Sequence, residues 1–114
     1  MAFGFFGFPA HFIERRTFDL TEEELFGVVK SAFENLGWLA YEIHEGREFH
    51  KWLHNSPMTW GEEFTVRILP GGVVEAESKS DHTYRPMLFD FGANRQNVEI
   101  FFARLEREIK ERRM

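Results

Sequence analysis

The sequence predicts an α+β domain: an antiparallel sheet of about five strands with two helices packed on one face, in the order β-α-β-β-β-β-α. Three observations carry this. Apolar residues recur at i, i+3, i+4 spacing in two segments, one opening at Thr21 and one after Asn94, as expected of one-sided helices. Between and before them lie segments of alternating polarity separated by turn signals, as expected of half-buried strands. Fourteen Phe, three Trp and two Tyr supply a large aromatic area for a single core.

The chain divides into a Phe/Gly-rich arm over residues 1–10 and one domain over 11–114. In the arm, Phe3 and Phe5 share one strand parity, and Phe6 and Phe8 the other. Four rings in ten residues would be an aggregation liability if exposed. They are therefore expected to lie on the domain's own core, on a protein partner or second copy, or against a membrane surface. The arm has no basic start and is broken by Gly and Pro, which argues against a signal peptide.

His11 to Leu20 reads as the first strand, with Phe12, Phe18 and Leu20 on one parity. Glu14 and Arg16 interrupt that parity, which suits an edge strand, where inward charge discourages sheet-to-sheet pairing. Thr21 and Glu24 have capping-box spacing, and Leu20 with Leu25 that of a hydrophobic staple. Leu25, Val28, Val29, Ala32, Phe33 and Leu36 form the buried stripe of the first helix, and Gly37 ends it. Trp38 to His44 alternates as a strand, Glu45-Gly46-Arg47 is a turn, and Glu48 to His54 returns. A three-residue loop pairs Ile43 with Phe49, Glu42 with His50, Leu39 with Leu53 and Trp38 with His54.

The next hairpin has a sharper register. With Pro70-Gly71-Gly72 in the loop, Leu69 faces Val73, Ile68 faces Val74, Val66 faces Ala76 and Phe64 faces Ser78. The other face then sets Arg67 against Glu75, Thr65 against Glu77 and Glu63 against Lys79. A slip of one residue would place Val66 against Glu77. The register also turns Glu62 toward the core, across from Ser80, where its carboxylate must be hydrogen-bonded or paired. Backbone N–H groups, Ser80 or Trp60 are the expected donors. Leu88, Phe89 and Phe91 are read as plugging one end of the core, and Asn94 as the N-cap of the last helix. Val98, Phe101, Phe102, Leu105 and Ile109 form that helix's stripe.

Trp60-Gly61-Glu62, Ser78-Lys79-Ser80 and Leu88-Phe89-Asp90-Phe91-Gly92-Ala93-Asn94 with Asn97 resemble, in order and spacing, a family of small uncharacterised bacterial domains. Their pattern is WGE, strand, SKS, LFDWGKN, N. They occur alone or fused to membrane proteins such as rhomboid-type proteases. The resemblance covers roughly residues 17–107 and implies a strand–helix–strands–helix domain without a catalytic assignment. Glu62, Lys79, Asp90 and Asn94 match the pattern and are binding candidates on that ground. Phe91 stands where the family usually has Trp, and Ala93 where it usually has Lys.

Composition narrows the function further. No cysteine means no disulfide, thiolate zinc site or cysteine nucleophile, and a reducing cytoplasm is the simplest setting. A net charge of −5 argues against nucleic acid, although ten of the 14 cations are Arg. No run reaches the ~18 apolar residues of a membrane-spanning helix, so any membrane contact would be peripheral.

Catalytic signals are weak. Ser78 and Ser80 lack a Gly-x-Ser-x-Gly elbow, and Pro70-Gly71-Gly72 lacks the lysine and helix of a phosphate loop. The expectation is a non-catalytic binding or protein-interaction module with no cofactor and no catalytic residue assigned. Trp38, Trp52, His50 and His54 are expected to line its free sheet face, with the arm as a second contact. The alternative is a small enzyme built on Glu62, Asp81 and His82, or a metal site on His50 and His54 completed by Glu42 or Glu48.

Overall fold

A computed structural model describes residues 11–54, 61–80 and 92–112. The element order is β1 (His11–Thr17), α1 (Glu22–Asn35), β2 (Glu42–His44), β3 (Glu48–Leu53), β4 (Glu62–Leu69), β5 (Val73–Ser80) and α2 (Ala93–Arg112). The strands form one sheet in the order β1-β5-β4-β3-β2, with every neighbouring pair antiparallel. This is the expected α+β architecture, with β1 at one edge and short β2 at the other.

Both ends of α1 follow from local chemistry. Thr21 accepts from the Glu24 backbone N–H and Glu24 accepts from the Thr21 backbone N–H, which completes the capping box. At the other end Gly37 adopts φ 75°, Gly37 N–H reaches Glu34 C=O and Trp38 N–H reaches Phe33 C=O. That pair of bonds is a Schellman motif, and it depends on a residue that tolerates the left-handed region.

The core lies between the helices and one sheet face. Leu25, Val28, Val29, Ala32 and Phe33 of α1 and Val98, Phe101, Phe102, Leu105 and Ile109 of α2 are buried against Phe49, Phe64, Val66, Ile68, Val74 and Ala76. Phe33 is the hub. Its ring centre lies 5.2–6.1 Å from those of Tyr41, Phe49, Trp38, Phe101 and Phe64. Tilted and edge-to-face pairs of this kind add about 0.5–1.5 kcal/mol each beyond buried area.

The β4–β5 register is the expected one at every position, including Arg67 opposite Glu75 and Glu62 opposite Ser80. In β2–β3, Glu42 pairs with His50 and Ile43 with Phe49, as expected. The turn has Glu45 and Gly46 at positive φ and is closed by Arg47 N–H to His44 C=O at 3.1 Å.

Three expectations are corrected. Strand β2 begins at Glu42, so the pairings of Leu39 with Leu53 and Trp38 with His54 do not form. The Schellman turn sends Trp38 inward, and Ala40 at φ 60° interrupts extended backbone before β2. Strand β1 ends at Thr17, and Phe18 leaves the ladder to donate its N–H to Gly72 C=O. Helix α2 starts at Ala93, with its first helical bond from Gln96 N–H to Gly92 C=O, so Asn94 lies inside the first turn and is not the N-cap.

Candidate functional site

Two polar regions flank the sheet, one buried under α2 and one on the face that no described helix covers. The first grows from the parity of β4 and β5. Glu62, Ser78 and Ser80 point to the helix side, and Asn94 and Asn97 descend on them from the first turns of α2. Glu62 has no exposed surface. Asn97 donates to Glu62 at 2.9 Å and to Ser78 at 3.2 Å. Ser78 donates to Asn94 Oδ1 at 2.7 Å, and Asn94 Nδ2 donates to Ser80 at 2.9 Å. Among the described residues, every buried side-chain nitrogen and oxygen has a partner.

This is a closed clamp between two strands and a helix. The inward carboxylate was foreseen, but its described donor is Asn97, one turn further along α2 than Asn94. Satisfied networks of this kind fix a unique docking geometry, and removal of one member leaves the others unpaired in a low-dielectric site. These bonds tie the first turns of α2 to β4 and β5 through Asn94, Asn97 and Glu62. Lys79 sits between them in sequence but points to the opposite face and is exposed.

The free face is an array of ion pairs that the single-hairpin reading caught only in part. Pairing of β1 with β5 brings Arg15 opposite Glu75. Arg67 of β4 donates to Glu75 at 2.8 Å and to Glu77 at 2.9 Å, and approaches Glu48 at 3.7 Å. Arg15 reaches the second oxygen of Glu75 at 2.6 Å, and His11 meets Glu77 at 2.6 Å. Burial raises the pKa of both Glu75 and Glu77, but the hydrogen bonds from Arg15, Arg67 and His11 outweigh it and hold both carboxyls below their ordinary range. Arg67 is correspondingly raised: burial lowers it, and its bonds to Glu77 and Glu75 more than compensate.

Toward the β2 edge, His50 Nε2 lies 3.0 Å from Glu48 and His44 Nε2 lies 3.1 Å from Glu42. The two rings stack with centres 4.3 Å apart. Trp52 completes this side. It is 50% exposed, and a Cβ on Gly61 would come within 2.5 Å of its indole. Gly61, at φ 116°, is thus required both by backbone conformation and by the ring lying over it.

The structure therefore sorts the predicted site residues. Trp52 and His50 lie on the free face. Trp38 does not; it is buried edge-on against Phe33 and Phe64, with ring centres at 5.8 and 5.1 Å. His54 is exposed beyond the end of β3, and the ring stacked on His50 is His44. Among the described residues no three His, Asp or Glu side chains converge on one point that would hold a metal ion as they stand. Phe3, Phe5, Phe6, Phe8, Asp81, His82 and Asp90 lie outside the described residues. Among the described residues, no helix is long and apolar enough to cross a membrane.

Sequence reasoning missed Arg15, Glu77, His11 and His44. The signal for Arg15 and His11 was outward parity in a strand whose partner is distant in sequence, whereas Glu77 and His44 lay on the outward face of hairpins already in register. Comparison with known proteins adds no identity: no family model matches the chain, and no curated protein matches it.

Proposed function

We propose that this chain is a non-catalytic interaction module whose free sheet face binds a protein partner bearing complementary basic charge, anchored on Trp52. The observation that carries the reading is a half-exposed Trp at the margin of an ion-paired, net acidic sheet face. Five carboxylates (Glu42, Glu48, Glu63, Glu75 and Glu77) share that face with three permanent cations (Arg15, Arg67 and Lys79). Exposed Trp is a typical interface anchor, because it offers large contact area at small entropic cost. The buried clamp is a poor alternative for binding, since its groups are already satisfied and closed from solvent.

The domains it resembles occur alone or fused to membrane proteins, as an add-on interaction module would. The Phe-rich residues 3–8 are read as a second, apolar contact toward that partner or a second copy, and the cysteine-free composition fits a reducing cytoplasm. An aromatic photo-crosslinking residue, p-benzoylphenylalanine, which keeps a large ring at position 52, compared with the same residue at Arg107 on the outer side of α2, tests the assignment in native extract. The expected result is a discrete adduct at position 52 that is lost in the Glu63→Lys background. Equal adducts at both positions, or an adduct indifferent to Glu63→Lys, would overturn it.

A further inference from the structure

The free face holds a titratable set that the interaction reading does not use. His11, His44 and His50 all lie on it, on β1, β2 and β3. Each meets a carboxylate through Nε2: His11 with Glu77 at 2.6 Å, His44 with Glu42 at 3.1 Å and His50 with Glu48 at 3.0 Å. All three are partly exposed, so protons reach them from solvent. The pairing leaves room for a second proton. With Nε2–H donating to the carboxylate, Nδ1 is the atom that takes it up. At His50 that atom lies 3.4 Å from Thr65 Oγ1, a hydroxyl that can turn to accept.

Each ring also has charged neighbours on the adjoining strands. His11 faces Lys79 across the β1–β5 ladder. His44 faces Glu48, and His50 faces Glu42 on β2 and Thr65 on β4. Arg67 of β4 approaches Glu48 at 3.7 Å. The rings of His44 and His50 stack with centres 4.3 Å apart, so two cations there repel, and Glu42 and Glu48 at the other two corners of the patch offset that repulsion. Glutamate carboxyls ordinarily titrate near ~4.3, below the imidazole range. Despite burial, the bonds from Arg15, Arg67 and His11 hold Glu75 and Glu77 lower still.

Mild acid therefore reverses the sign of the face. Five carboxylates against three permanent cations leave it at −2, and three imidazolium charges bring it to +1. We propose that protonation of His11, His44 and His50 switches this face off: it holds a basic partner near neutral pH and releases it in mild acid. The switch rests on the interaction reading above and supplies its regulation. Like charge on the two surfaces slows their encounter and weakens the complex. No refolding is needed, because each imidazolium forms against a carboxylate already in contact.

The test is a calorimetric titration of the full chain with pentalysine at low ionic strength, at about pH 7.5 and about pH 5.5, either side of the imidazole range. Binding should weaken about tenfold or more between the two pH values. Glu63→Lys should weaken it at the higher pH as well, which places the peptide on this face. In the triple variant His11→Gln/His44→Gln/His50→Gln the ratio between the two pH values should fall below about twofold, whatever the variant's own affinity. His54 and His82 remain in that variant, so a lost ratio does not come from them. Circular dichroism at both pH values checks folding. NMR of the unsubstituted chain supplies a readout independent of any variant: the ring signals of His11, His44 and His50 should titrate between those values. Absence of binding at the higher pH, or binding indifferent to Glu63→Lys, would overturn the interaction reading and the switch with it. Binding that weakens by less than about threefold in acid, ring signals that do not titrate, or a full ratio kept by the triple variant would overturn the switch alone.

Discussion

Arg67→Met tests the ion-pair array of the free face most severely. Arg67 touches Glu75 and Glu77, whose side chains are 7% and 15% exposed, and its own side chain is 30% exposed. Removing one partner of a buried pair costs about 3–5 kcal/mol, because the remaining charge is left desolvated. Partial exposure of Arg67 screens the interaction, and Arg15 and His11 remain on the two carboxylates. The expected loss is therefore nearer 2–3 kcal/mol. The pH dependence follows from the lowered carboxyls. A group whose folded pKa lies below its unfolded value stabilises the fold above the unfolded value, ~4.3 for Glu, and loses that contribution as pH falls through the folded one. The gap between the parent and Arg67→Met should be full at pH ~7 and close progressively below pH ~4. Urea unfolding across this range measures it. A gap under about 0.5 kcal/mol at neutral pH, the ordinary surface-substitution range, or a gap that does not shrink in acid, would refute the reasoning.

Three further outcomes follow from the same structure. Asn97→Leu removes the donor shared by Glu62 and Ser78 and should cost about 2–4 kcal/mol in urea unfolding, the penalty for leaving two buried acceptors short; Asn97→Gln should not restore it, because the longer amide overfills the site. Gly61→Ala should displace Trp52, shift its fluorescence and destabilise by about 1–3 kcal/mol, since the new Cβ overlaps the indole and φ is 116°. Phe33→Ala should cost about 3–5 kcal/mol, at the upper end for a core ring, because five aromatic neighbours lose their contact.

The parts of the fold visible in the sequence were those decided by short-range chemistry. The register of β4 and β5 was readable because a Pro-Gly-Gly turn left one alignment that kept apolar residues together and matched charges on the reverse face. The same parity turned Glu62 inward and so disclosed half of the clamp. Its other half needed the docking angle of α2, which no pattern within the helix encodes. Trp38 was misplaced because Leu39, Tyr41 and Ile43 alternate as a strand would, while the decision lay in the positive φ of Gly37 and Ala40. Of the free-face array only the Arg67–Glu75 pair was legible, and the rest was hidden for a topological reason. Arg15 and Glu75 lie 60 residues apart and meet only because β1 pairs with β5. Sequence spacing suggested His54 as the partner of His50, although the β2–β3 register, with Glu42 opposite His50, already set His44 diagonal to it.

If the free face recognises a partner and the clamp only holds the fold, substitutions in the two regions have opposite effects on binding and stability. Binding to the partner captured at position 52 should be measured for Trp52→Ala/Glu63→Arg and for Asn97→Leu, each at a temperature where it is folded. The first should keep its stability within about 1 kcal/mol, as expected for exposed positions, and lose affinity by tenfold or more, about 1.4 kcal/mol. The second should lose stability and keep its affinity. Unchanged affinity in the first with lost affinity in folded Asn97→Leu would place the function in the clamp and contradict the account.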